Sequence, residues 1–254
     1  DGGLLPVLSG VARLALASPL RKITGHPRVD MARLHPRLHD ALQLLPADRP
    51  AHLLTRHSVR ELAKNGFADY RLPLTPEGIT MAREWGARLE RPVSAFYSSP
   101  VGRCVDTAQA MAEGAHGAGL IDHEPEVITD STLVEPGCYV EDMNRVGPTF
   151  LKMGALRFLN AHLRQPFDGM LTPAAGRAKL AGYLHDRQPG AGELAVHVTH
   201  DTILAVLVAE LEGRDAIDEG HWPWMMEGLW VWFDERHLNW VWRGEHGRRP
   251  FSRA

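Results

Sequence analysis

Two arginines flank a histidine in Thr55-Arg-His-Ser-Val-Arg60, so that Arg56 and Arg60 stand four residues apart with His57 between them. A second stretch, Ser98-Ser-Pro-Val-Gly-Arg103, brings a third arginine to the start of a helical pattern. A third, Val198-Thr-His-Asp201, joins a histidine directly to a carboxylate. Taken singly, each has an ordinary explanation. An Arg-His pair decorates many surfaces, and an Asp at a helix start is stabilised by the positive end of the helix dipole. Taken together they point to chemistry. Three guanidiniums and two imidazoles gathered in one place repel one another unless an anion neutralises them. The planar, forked donors of arginine match the oxygens of a phosphoryl group.

Gathering these stretches requires elements that end side by side. Residues 51–56 form a short apolar run ending in charge, 93–97 a second strand-like run, and 194–199 the clearest buried strand, apolar and β-branched. Each chemical stretch follows one of these, and open α/β sheets collect ligands beyond the carboxyl ends of their strands. Thr75-Pro-Glu-Gly78 carries helix-start signals: a capping hydroxyl, proline at the first position and glutamate at the positive end. That helix is expected to run to about residue 90. Ser99 is expected to cap a helix over 101–115, and helices are expected over 144–163, 173–187 and 202–212, with a short strand at 126–129. Residues 229–242 alternate as a hairpin around Asp234-Glu-Arg-His237. The order predicts a three-layer α/β/α sandwich on a mostly parallel central sheet, with helical insertions and a C-terminal β-hairpin. Residues 1–50, punctuated by prolines at 6, 19, 27, 36, 46 and 50, read as a helical extension packed on the core. Residues 51–254 read as the α/β domain, with an insertion over about 133–190.

These boxes resemble those of the histidine phosphatase superfamily, the phosphoglycerate-mutase-like fold. Arg56-His57-Ser58-Val59-Arg60 resembles its RHxxR box, and Leu72-Pro-Leu-Thr-Pro-Glu-Gly78 the segment before its first helix. Ser98-Ser-Pro-Val-Gly-Arg103, followed by Asp106-Thr-Ala108, resembles its SSPxxRxxxTA box, and His200-Asp201 stands where its second histidine belongs. The resemblance runs in order over about residues 52–212 and has no counterpart for 1–50. Two departures matter. Ser58 follows the first histidine where most members have glycine. His200-Asp201 is similar to the acid-phosphatase branch, whereas the short chain is similar to the smaller branch, which keeps a separate glutamate near the position of Glu135.

What the resemblance implies is a metal-independent phosphatase that hydrolyses a phosphate monoester through a phosphohistidine on His57, with no cofactor. Arg56, Arg60, Arg103 and His200 would hold the non-bridging oxygens, since a loose phosphoryl transition state keeps its charge there. Asp201 or Glu135 would protonate the leaving oxygen. Asp201 is the preferred donor, because its position is tied to His200. Lys64, Asn65 and Tyr70 follow the first box and are candidates to line the substrate mouth. A phosphoryl-transfer mutase and a catalytically silent phospho-ligand-binding or interaction module are the alternatives on the same fold.

Composition is consistent with this. A chain of 254 residues with 23% charged residues and a net charge of −3 lacks the basic excess of a nucleic-acid binder. The expected partner is a small phosphorylated substrate, with no nucleic acid and no membrane. Two cysteines, Cys104 and Cys138, cannot build a disulfide framework and read as core residues, which favours the cytoplasm, with export as the alternative. The segment 4–17 ends in Ala15-Leu16-Ala17, a faint cleavage-like pattern, and reads as an ordinary helix. His35 and His39 lack a third metal ligand in register, and His197 and His200 fall on opposite sides of a strand. The tryptophans between 222 and 242 read as packed core.

Overall fold

The computed structural model describes residues 33–61 and 70–251. Lys64, Asn65 and the extension before residue 33 lie outside the described residues.

Ala51–Arg56 (β1), Val93–Ser98 (β2), Val127–Thr129 (β3) and Leu194–Thr199 (β4) run parallel in the order β3-β2-β4-β1. β1 and β4 are buried along their whole length, which is why they read as continuous runs rather than as alternations. Beyond β1 the sheet continues antiparallel through Gly228–Phe233 (β5), His237–Trp242 (β6) and Glu245–Pro250 (β7). The expected hairpin is thus the first two strands of a three-stranded meander. Glu245-His-Gly-Arg-Arg-Pro250 has no apolar alternation because β7 is an exposed edge, and its pairing with β6 is what makes it a strand.

Helices cover both faces. On one face lie Arg37–Asp40 (α1), Pro76–Gly86 (α2) and Gly102–Gly117 (α3), where Leu38, Trp85 and Met111 pack with Leu53, Phe96, Val196 and Trp230. On the other lie Met143–Met153 (α4), Ala155–Arg164 (α5), Pro173–His185 (α6) and Asp201–Glu212 (α7). There Val146, Phe158, Leu180 and Leu204 pack with Leu54, Val231 and Phe233. Adjacent residues of β5 therefore serve opposite layers, and Trp222, Trp230, Trp232, Trp240 and Trp242 are all buried, as core tryptophans should be. Cys104 and Cys138 are buried and free.

α2 starts as its residues dictate: Thr75 Oγ1 accepts from the Gly78 N–H at 3.0 Å, with proline at the first turn. It ends at Gly86, short of residue 90. α2 and α3 lie close enough that a Cβ on Gly86 would overlap the Met111 carbonyl, and one on Gly114 the Arg83 carbonyl. The expected helix over 144–163 is two helices, because Gly154 sits at φ 76° between α4 and α5. No helix among the described residues is long and apolar enough to cross a membrane.

Candidate active site

The parallel register decides what meets. Arg56 on β1 pairs with Thr199 on β4, and Ser98 on β2 with Val198, so residues 57, 99 and 200 leave the sheet side by side. α3 then presents Arg103 from its first turn, and α7 begins at Asp201.

His57 is held from both ends. Its Nδ1 lies 2.8 Å from the Ser58 carbonyl, an acceptor only, so Nδ1 carries the proton. Nε2 keeps its lone pair and accepts from Arg103 Nε at 3.0 Å. Burial, and then the charges of Arg103 and Arg56, hold the imidazole pKa well below its ordinary value, so the ring is neutral. The His200 ring stands 5.9 Å from that of His57, centroid to centroid. Its Nε2 lies 3.0 Å from Ser99 Oγ and its Nδ1 faces Arg103 Nη2 at 3.4 Å. Burial, with Arg103 next, lowers its pKa to about 3. Ser99 is therefore a partner of His200 rather than a helix cap: the residue at the cap position of α3 is Val101, whose N–H reaches Ser99 Oγ at 3.3 Å.

Arg56 spends two nitrogens on protein. Nη2 meets Asp201 Oδ2 at 2.6 Å and Nη1 donates to the Pro223 carbonyl at 2.7 Å. Its Nε is buried with no acceptor among the described residues, a donor that an anion's oxygen would satisfy. Asp201 accepts from the Thr202 N–H at 2.9 Å and from Trp222 Nε1 at 3.3 Å. Glu135 lies with Oε2 3.7 Å from His200 Nδ1. Burial, and then the Asp201 charge, push its carboxyl up to about 7 against the pull of Arg103 and Arg56. The Tyr70 ring stands edge-on to His200 at 6.3 Å and under the Arg103 guanidinium at 5.2 Å. Arg60 is half-buried and gives Nη1 to the Glu61 carbonyl at 3.0 Å; burial and the Arg103 and Arg56 charges lower its pKa.

The site thus brings together His57, His200, Arg56, Arg103, Asp201, Glu135 and Tyr70, with Arg60 in their field. Ser58 fits where a glycine was expected because its hydroxyl donates to the Gly78 carbonyl at 2.7 Å and its N–H to Thr107 Oγ1 at 3.0 Å. Trp222 and the Pro223 carbonyl were not foreseen; no spacing ties them to the boxes. Elsewhere, His39 bonds Glu90 at 2.8 Å and His197 bonds His52 at 3.1 Å. Among the described residues no group of three or more His, Cys, Asp and Glu side chains could hold a metal ion.

Among solved structures, the chain is similar to Bacillus stearothermophilus YhfR, at 18% identity over 77% of this chain and 96% of that one, with a TM-score of 0.48. It is similar to a phosphoserine phosphatase from Entamoeba histolytica, at 16% identity over 78% and 96%, with a TM-score of 0.47. It is also similar to a phosphoglycerate mutase from Bacillus anthracis str. Sterne, at 13% identity over 80% and 94%, with a TM-score of 0.47. No curated protein matches the sequence. The family model that matches covers residues 52–139, the segment that carries His57, Arg103 and Glu135. That model is of the histidine phosphatase superfamily, branch 1, and the match spans about a third of the chain.

Proposed function

We propose that the chain is a phosphomonoesterase acting through a phosphohistidine on His57. The observation that carries this reading is the double constraint on that ring: Nδ1–H tied to the Ser58 carbonyl, and an unprotonated Nε2 turned toward Arg103. A neutral imidazole of fixed tautomer is a nucleophile already aimed, and alignment supplies much of the rate in phosphoryl transfer. Nε2 attacks phosphorus as the ester P–O bond breaks, while Arg56, Arg60, Arg103 and His200 stabilise the non-bridging oxygens. A carboxylic acid hands its proton to the leaving oxygen. Its carboxylate then takes a proton from water, which attacks the phosphohistidine to release phosphate and free His57.

Of the two candidate acids, Glu135 is the one we propose in place of Asp201, and the geometry supports that choice. Arg56, the Thr202 N–H and Trp222 Nε1 all donate to Asp201, which is thereby engaged as an acceptor. Glu135, buried and facing the Asp201 charge, keeps its proton near neutrality. The test is turnover of p-nitrophenyl phosphate in chelator, with His57→Ala as the partner variant. The expected result is hydrolysis by the native chain, an acid-labile and alkali-stable phosphoenzyme, and a loss of at least about 10³-fold in His57→Ala. Phosphate binding without turnover would assign a silent binder, and transfer of the phosphoryl group to an alcohol in preference to water would assign a mutase.

A further inference from the structure

Resting on that reading, we infer that Trp222 is a positioning residue that acts on Arg56 through Asp201. Asp201 Oδ2 is shared by Arg56 Nη2 at 2.6 Å and Trp222 Nε1 at 3.3 Å, so the indole N–H and the guanidinium meet on one oxygen. The residue after Trp222 supplies the carbonyl that takes Arg56 Nη1 at 2.7 Å. The same segment grips the main chain of the first box. The Arg56 N–H donates to the Glu227 carbonyl at 3.0 Å, Thr55 Oγ1 to the Met226 carbonyl at 2.9 Å, and the Met226 N–H to the His57 carbonyl at 3.4 Å.

The segment is itself locked from behind. Buried Glu227 accepts from Arg243 Nε at 2.7 Å and from the Trp224 N–H at 2.8 Å. Arg243 Nη2 donates to the Trp222 carbonyl at 3.1 Å. A guanidinium is planar, so fixing two of its nitrogens fixes the direction of the third. The third is Nε, buried and without an acceptor among the described residues. Trp222 is 1% exposed, and as core filler alone its ring would serve as well without the N–H. Through its contact with Asp201, the indole N–H orients the carboxylate that in turn orients the guanidinium donor.

The test reads inorganic phosphate binding by calorimetry, which needs no turnover. Trp222→Phe keeps an aromatic ring and removes the N–H, and is expected to raise the phosphate Kd about 3- to 10-fold. In an Asp201→Ala background the same change should alter Kd by less than about 2-fold, since its route is already cut. Additive losses would overturn the inference. Should Trp222→Phe fail to fold, Asp201→Asn and Asp201→Ala decide it. Both delete the charge, but only Asn leaves an oxygen for the indole and the guanidinium, so Ala should bind phosphate at least about 5-fold more weakly. Equal affinities would overturn it. A native chain that binds phosphate but never hydrolyses an ester sinks the proposed function and leaves this inference standing. A native chain that binds no phosphate sinks both.

Discussion

Replacing Glu135 by Gln removes the ionisable carboxyl proton and changes the shape little, since the amide is nearly isosteric with the acid. The carboxyl pKa stands at about 7 instead of 4.5 because burial and the Asp201 charge disfavour its anion, by about 3 kcal/mol. At pH 6 most of the population therefore carries the proton, and at pH 8 only about a tenth. The acid must be protonated to act, so turnover of an ester with a poor leaving group is present below pH 7 and lost above it. General acid catalysis contributes about 10²- to 10⁴-fold. Glu135→Gln should lose that factor in kcat on an alkyl phosphate and less than about 10-fold on p-nitrophenyl phosphate, whose leaving group needs no proton. The alkaline limb near pH 7 should vanish in the variant. Stability supplies an independent check. A carboxyl with a raised pKa binds its proton more tightly folded than unfolded, so it lowers stability as pH climbs from 4.5 through 7. Glu135→Gln should accordingly be more stable than the native chain at pH 8, by up to about 3 kcal/mol in urea titrations. Equal losses on both esters, together with an alkaline limb that survives in Glu135→Gln and disappears in Asp201→Asn, would return the role of donor to Asp201.

Arg103→Lys keeps a positive charge but loses the fork that reaches His57 Nε2, His200 Nδ1 and the Tyr70 ring at once. A drop of about 10²-fold in kcat/KM on p-nitrophenyl phosphate is expected, and a loss under about 3-fold would show that charge alone suffices. Burial holds His52 at about 3 and His162 at about 4, both below 6.5, so their unfolded forms bind protons more readily. The stability they protect is complete above pH 6.5 and is lost as pH falls toward those values, at about 2 kcal/mol for each by pH 5. An unchanged urea midpoint between pH 7 and pH 5 would contradict this. Gly86→Ala would press a methyl group onto the Met111 carbonyl at the α2–α3 contact and should cost about 2–3 kcal/mol, seen as a lower Tm. An unaltered Tm would mean that the two helices part without cost.

Much of this molecule was legible along the chain because the responsible forces are local. A run such as Leu194–Thr199 is apolar and β-branched because the strand is buried on both faces, and Thr75-Pro-Glu starts a helix wherever it lies. Placing Arg56-His57, Arg103 and His200 at the ends of parallel strands was enough to foresee one anion-binding corner. Other features depend on partners far off in sequence. β7 is a strand only because β6 lies beside it, and Ser99 serves His200 only because β2 and β4 are neighbours.

The division of labour between the two carboxylates is the clearest case. Glu135 and Asp201 are equivalent acids in the sequence, and proximity to His200 made Asp201 the natural choice. Folding separates them. It sets Asp201 against Arg56 and two N–H donors, and buries Glu135 within reach of that charge. Proton affinity depends on desolvation and through-space charge, and neither quantity has a period or a spacing along the chain. Residue order determined which groups gather; three-dimensional packing determined the burial and neighbouring charges that set their proton affinities.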